Sequence, residues 1–109
     1  MSKNIFHFSE NDSFEKEVIE PSKTKPVMVD FFATWCGPCS QMAPILESFA
    51  EEFDGKYVVA KIDVDENKEI AAEYSIMSIP TIKVFKNGEA VKTALGVQTR
   101  EMLLELVEG

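Results

Sequence analysis

The sequence predicts an α/β fold, a mixed central β-sheet with helices on both faces. Three observations carry this reading. Short apolar runs alternate with segments of helical period, and such alternation gives parallel strands joined by crossover helices. The run Tyr57 to Ile62 is apolar nearly throughout, as expected of a central strand covered on both faces. Asn87-Gly88 stands between two β-prone runs, a strong hairpin signal that adds antiparallel strands. The elements follow in the order β-α-β-α-β-α-β-β-α.

Taken in turn, Ile5 to Phe8 is a short apolar strand. Ser9 to Val18 reads as a helix capped by Ser9 or Asn11, with Phe14, Val18 and Ile19 on one face. Pro21 to Pro26 is a loop of breakers and lysines. Val27 to Phe32 is a strong strand broken chemically by Asp30. A helix from about Cys36 to Phe53 places Ile45, Leu46, Phe49, Ala50 and Phe53 at helical spacing, with Pro44 expected to kink it. Gly55 ends that helix. Tyr57 to Ile62 is a strand and Glu66 to Tyr74 a short helix. Thr81 to Phe85 and Ala90 to Thr93 form the hairpin, and Thr99 caps a last amphipathic helix to Val107.

The 109 residues fit one domain, 1–109, without linker, repeat or low-complexity segment. The formal net charge is -8, from 11 basic and 19 acidic residues. Such a surface repels phosphate backbones and anionic membranes, so no nucleic-acid or membrane partner is expected. The start MSKNIFHFSE lacks a basic stretch followed by an apolar run, which predicts no signal peptide and a cytoplasmic location. No apolar stretch approaches the roughly 20 residues of a membrane helix.

In a reducing compartment, a pair of cysteines is more often catalytic or metal-binding than a structural staple. The segment Trp35-Cys36-Gly37-Pro38-Cys39 follows a strand and opens a helix. At a helix N-terminus the unpaired N–H groups and the positive dipole end favour an anion, here the Cys36 thiolate. Only the thiolate attacks a disulfide. Two intervening residues let Cys39 reach Cys36 within one turn and resolve a mixed disulfide. Pro38 has no N–H to lose in a first helical turn. A closed zinc site needs about four ligands, whereas the chain offers two cysteines and the distant His7, so no metal is expected.

The run Val29-Asp30-Phe31-Phe32-Ala33-Thr34-Trp35-Cys36-Gly37-Pro38-Cys39 closely resembles the active-site signature of the thioredoxin family. The resemblance extends to Pro44, Lys61, Ile79-Pro80-Thr81, Phe85-Lys86-Asn87-Gly88 and Gly96, so it covers nearly the whole chain. It implies the thioredoxin fold and dithiol–disulfide exchange, with the Cys36–Cys39 pair as the redox group and no other cofactor. The expected product is a general electron donor that reduces disulfides in target proteins, itself reduced by a thioredoxin reductase. A monomer is expected.

Asp30 interrupts a strand that should be buried, and a buried carboxyl tends to hold its proton. The resemblance places it beneath Cys39, where it would assist proton transfer, with Lys61 nearby to tune it. The plainer alternative is a structural ion pair or an outward-facing residue. The resemblance also makes Pro80 a cis proline facing the cysteines, with Ile79 offering its backbone to an extended substrate. Trp35, the only tryptophan, adjoins Cys36 and suits a contact surface. Gly37, Val64, Ile79, Gly96 and Val97 are expected to form a shallow apolar docking face. Gly96 is also explained by a backbone requirement alone.

Other features carry less. Asp63-Val64-Asp65-Glu66-Asn67 opens like a calcium loop, but Lys68 and Tyr74 stand where glycine and glutamate are needed. His7 reads as structural, and Met42, Met77 and Met102 as packing residues. Phe32 and Ser40 depart from the commonest family pattern, which has tryptophan and a basic residue there. Two other functions compete with reduction. A disulfide oxidase or isomerase of the same fold usually carries histidine in place of Pro38. A non-redox binding subunit would keep its function with both cysteines replaced by serine.

Overall fold

The computed structural model describes residues 4–109. Five strands form one sheet in the order β1-β3-β2-β4-β5. They are β1 (Ile5–Phe8), β2 (Val27–Phe32), β3 (Val58–Asp63), β4 (Thr81–Lys86) and β5 (Glu89–Leu95). β1, β3 and β2 run parallel, whereas β4 is antiparallel to β2 and β5 to β4. Crossovers therefore join the first three strands, and the Asn87-Gly88 turn joins the last two. Asn87 and Gly88 both have positive φ, 53° and 84°, the backbone that a two-residue hairpin turn demands.

The helices α1 (Gly37–Glu52), α2 (Lys68–Glu73) and α3 (Arg100–Glu108) complete the chain. Met42, Leu46, Phe49 and Ala50 of α1 and Leu103 and Val107 of α3 share a core with Met28, Val59, Ile82 and Val84 of the sheet. On the opposite face, Val27, Val29, Phe31, Ala60, Ile62 and Phe85 pack with Val18, Phe14, Ile70 and Tyr74. The chain is thus layered as expected, with β2 and β3 central.

The first helix differs from expectation. Residues 9–12 form a turn in which the Asp12 carboxylate accepts the Ser9 N–H at 2.8 Å and the Ser9 hydroxyl at 3.1 Å. That local bonding competes with helix. Ser13 then caps the helical stretch, its Oγ accepting from the Lys16 N–H at 3.2 Å. Glu15–Ile19 is wound in the wide π-type pitch, the Glu20 N–H reaching the Glu15 carbonyl at 2.8 Å. Pro21–Lys23, expected as loop, is a 3₁₀ turn whose first position has no use for the N–H that proline lacks.

Smaller shifts follow the same logic. α2 starts at Lys68 because Asp63 and Asn67 build a turn before it, Asn67 Nδ2 donating to the Asp63 carbonyl at 3.0 Å. Asp63 Oδ1 also accepts the Asp65 N–H at 2.8 Å, so the calcium-like segment serves as a local turn. β5 runs longer than expected as an exposed edge strand. α1 continues through Pro44 as one helix, with the proline ring exposed. Thr99 caps α3, its Oγ1 accepting from Met102 N–H at 3.2 Å. Met42 is fully buried, but Met77 and Met102 are not packing residues. Met77 stands on the loop after α2 at 94 % exposure, and Met102 lies on the outer side of the first turn of α3.

Leu46 is fully buried in the α1 core while its neighbour Glu47 is exposed. Leu46→Ala is expected to destabilise the fold by about 3 kcal/mol, and Glu47→Ala by less than about 0.5 kcal/mol. Urea denaturation of both variants checks this; equal losses would mean that the face of α1 is misassigned.

Candidate active site

β2 delivers the site. Its residues alternate between faces, so Val27, Val29 and Phe31 meet one layer while Met28 and Asp30 turn toward α1. The strand ends at Phe32, and Ala33 to Trp35 bridge to Cys36. Cys36 is the N-cap of α1, in extended backbone (φ −86°, ψ 115°), with Gly37 and Pro38 as the first helical residues. Its Sγ accepts the Cys39 N–H at 3.2 Å, so a thiol sulfur takes the capping place usually held by a serine or aspartate oxygen. Proline at the second helical position costs no hydrogen bond there.

Cys36 and Cys39 are joined in a disulfide, their Cα atoms 5.3 Å apart. Both are 4 % exposed and pack with Ala33, Phe32, Val64 and Ile79. The Ile79–Pro80 peptide bond is cis. The Ile79 carbonyl oxygen lies 3.9 Å from Cys36 Sγ. Gly96 joins the same rim, its N–H donating to the Pro80 carbonyl at 2.9 Å. Gly96 has φ +83°, which side-chain-bearing residues rarely adopt. Trp35 is 71 % exposed, and its Nε1 donates to Asp65 Oδ2 at 2.8 Å. Val97 is half-buried against the α1 core, and Gly37 is exposed at the helix start. Of the expected docking residues, Val64 and Ile79 touch the cysteine cluster directly, Gly96 reaches it through Pro80, and Val97 packs on the core beside Gly96.

Asp30 is fully buried, and neither carboxylate oxygen has a hydrogen-bond partner among the described residues. Burial pushes its carboxyl up to about 7, with the Lys61 ammonium pulling the other way. Lys61 is its register partner on β3, and its Nζ lies 4.5 Å over the Phe32 ring. The plainer reading of Asp30 as an outward residue is therefore wrong; it faces inward, on a strand with no exposed face. Sequence reasoning missed Asp65, which anchors the exposed tryptophan. Its only trace was the acidic run that reads as a failed calcium loop. His7 lies on β1, opposite Lys61 and apart from the cysteines in sequence and element.

Comparison with known proteins agrees with this geometry. The family model for thioredoxin matches residues 5–109. A thioredoxin of Rickettsia felis is 47 % identical over 97 residues, covering 89 % of this chain and 90 % of that protein. One of Staphylococcus saprophyticus is 53 % identical over 81 residues, 74 % of this chain and 78 % of that protein. One of Alicyclobacillus acidocaldarius is 56 % identical over 79 residues, 72 % and 75 % of the two chains.

This chain belongs to the thioredoxin family. It is a thiol–disulfide oxidoreductase, and the Cys36–Cys39 disulfide is the redox couple that such chemistry requires. As in other thioredoxins, target disulfides are reduced by the cysteine pair itself. No described helix is long and apolar enough to cross a membrane.

The raised carboxyl of this thioredoxin has a consequence for stability. Asp30 titrates at about 7 in the fold against 3.8 for an ordinary aspartate. Between those values the unfolded chain has released the proton and the folded chain has kept it. The Asp30 contribution is therefore most favourable below about pH 4, declines as pH rises toward 7, and levels off above. The full decline is about 4 kcal/mol. Asp30→Asn removes it, so the variant is expected to gain on the parent by up to about 4 kcal/mol between pH 4 and pH 8. Urea denaturation of the oxidised forms measures this; a gap independent of pH would mean that Asp30 titrates as an exposed residue.

Proposed function

We propose that this thioredoxin is a general protein-disulfide reductase in which Cys36 attacks and Cys39 resolves. One observation carries the assignment of roles: the Cys39 N–H points at Cys36 Sγ at the start of α1. The two cysteines are equally buried, so exposure does not separate them. The helix N-terminus does, because its free N–H groups and dipole stabilise a thiolate at Cys36. The Cys36 thiolate attacks a substrate disulfide, forms a mixed disulfide and expels one substrate thiolate. Cys39 then gives up its proton and attacks Cys36 Sγ, which releases the second substrate thiolate. The substrate gains two electrons, and the chain is left as the Cys36–Cys39 disulfide.

Asp30 suits the proton transfer from Cys39. A carboxyl near 7 is present in both protonation states at neutral pH, which general acid–base work requires. It lies on β2 between Met28, in the α1 core, and Phe32, which packs on the cysteines. Lys61 is the tuning charge. The Ile79 backbone carbonyl, 3.9 Å from Cys36 Sγ, supports capture of an extended substrate strand beside Pro80, with Gly37, Val64, Ile79, Gly96 and Val97 as the docking face and Trp35 at its edge. The electron source is a thioredoxin reductase, and the protein works as a cytoplasmic monomer of one domain. It needs no cofactor beyond its cysteines and binds neither metal, nucleic acid nor membrane. Pro38 between the cysteines favours this reading over an oxidase or isomerase.

Cys39→Ser, incubated with a disulfide-bonded protein such as insulin, is expected to accumulate a mixed disulfide at Cys36. Cys36→Ser is expected to accumulate none. Non-reducing gels with mass spectrometry distinguish them; the reverse pattern would exchange the two roles. Replacing both with serine is expected to abolish insulin reduction, and retained activity would end the redox reading. A redox potential at or above about −180 mV, measured against glutathione, would favour an isomerase instead.

A further inference from the structure

Gln98 is a buried polar residue that the exchange chemistry does not use. It stands two residues after Gly96, where β5 has ended and α3 has not begun. Its side-chain amide donates to two successive carbonyls, Leu95 at 3.0 Å and Gly96 at 3.1 Å. Its own backbone N–H donates to Met42 Sδ at 3.3 Å, a sulfur fully buried on α1. Gly96 in turn donates to the Pro80 carbonyl, next to the Ile79 oxygen that faces Cys36 Sγ. Gln98 thus joins two parts of the site, its backbone N–H tied to the helix that carries the cysteines and its side-chain amide to the turn on the rim opposite them.

We infer that Gln98 is a positioning residue for protein substrates, holding the Leu95–Val97 turn and, through Gly96, the Ile79–Pro80 peptide in the register that an extended strand meets. This rests on the docking role given above to Ile79 and Gly96. A buried amide that donates to two successive carbonyls fixes their directions relative to each other, because turning either one breaks a bond to a side chain that packing holds in place. Gly96 needs that restraint most, since glycine has the widest backbone freedom. An apolar residue of similar size would fill the space but leave both carbonyls free to turn. The brace acts on docking and leaves the sulfur chemistry alone, because Gln98 contacts neither cysteine in any of these bonds.

The test compares two substrates. Insulin must dock as a chain, whereas 5,5′-dithiobis(2-nitrobenzoate) is a small disulfide that need only reach Cys36. Gln98→Leu is expected to raise KM for insulin about tenfold, the effect of losing one or two neutral hydrogen bonds. Its kcat, and its rate with the small disulfide, are expected to stay within about twofold of the parent, since no bond at the sulfurs is removed. Gln98→Asn, which keeps an amide donor, is expected to recover part of the loss. Amide exchange at Gly96 is expected to be faster in Gln98→Leu than in the parent. Equal losses with both substrates, or no change in KM for insulin with Gly96 still protected, would overturn the inference. Should Gln98→Leu fail to fold, Gln98→Met gives the same comparison. A parent protein that does not reduce insulin at all would instead overturn the docking reading on which the inference rests.

Discussion

β2 has no exposed face, and nearly everything at the site follows from its alternation. A period of two sends Val27, Val29 and Phe31 into one core and Met28 and Asp30 toward α1. A slip of one residue would put a carboxylate into the aromatic layer and a phenylalanine under the cysteine helix. Parallel pairing with β3 on one side and antiparallel pairing with β4 on the other exclude that slip. The same strand then stops at Phe32 and hands the chain to Cys36, so the redox pair and the buried carboxyl are set by one element.

The seat of Asp30 is costly. Its two oxygens have no partner among the described residues, and Lys61 offers only distant compensation, its ammonium resting on Phe32. A fold built for stability alone would place an apolar residue there. Retaining the acid gives a group that exchanges its proton near neutral pH, on the side of the sheet that α1 covers. The cysteines receive the opposite treatment. Cys36 gains from its place at the helix start, where its sulfur meets the Cys39 N–H. Across from them, the Ile79 carbonyl oxygen lies 3.9 Å from Cys36 Sγ, and the left-handed Gly96 bonds the Pro80 carbonyl beside it. Stability is thus given up at Asp30 on β2, while Gly96 on the rim is held to Pro80 by a hydrogen bond.

Much of this was legible in the residues. The five strands lie where apolar runs and the Asn87-Gly88 turn put them, and Cys36 opens its helix as the strand-to-helix junction required. The broken pattern at Asp30 and Lys61 singled out two residues that the sheet places side by side as register partners. Other features depended on bonds that no pattern encodes. The Ser9–Asp12 turn delayed the first helix, since an aspartate three residues on competes with helical N–H partners. Asp65 became the anchor of Trp35 only through a contact across 30 residues. Met77 reversed its expectation as a packing residue, and the burial of Gln98 was signalled by no pattern. An apolar side chain stands in solvent and a polar one is buried, each because of its loop and not its composition.

The central claim is that β2 holds Asp30 in a buried seat where its carboxyl titrates near neutrality. Carbon-13 NMR of the Asp30 side-chain carboxyl, followed from pH 3 to 9 in the oxidised protein, measures this at the atom concerned. A midpoint near 7 is expected, about three units above that of exposed aspartates. A midpoint close to 3.8, the ordinary aspartate value, would contradict the burial, the strand parity and the proton-transfer role together.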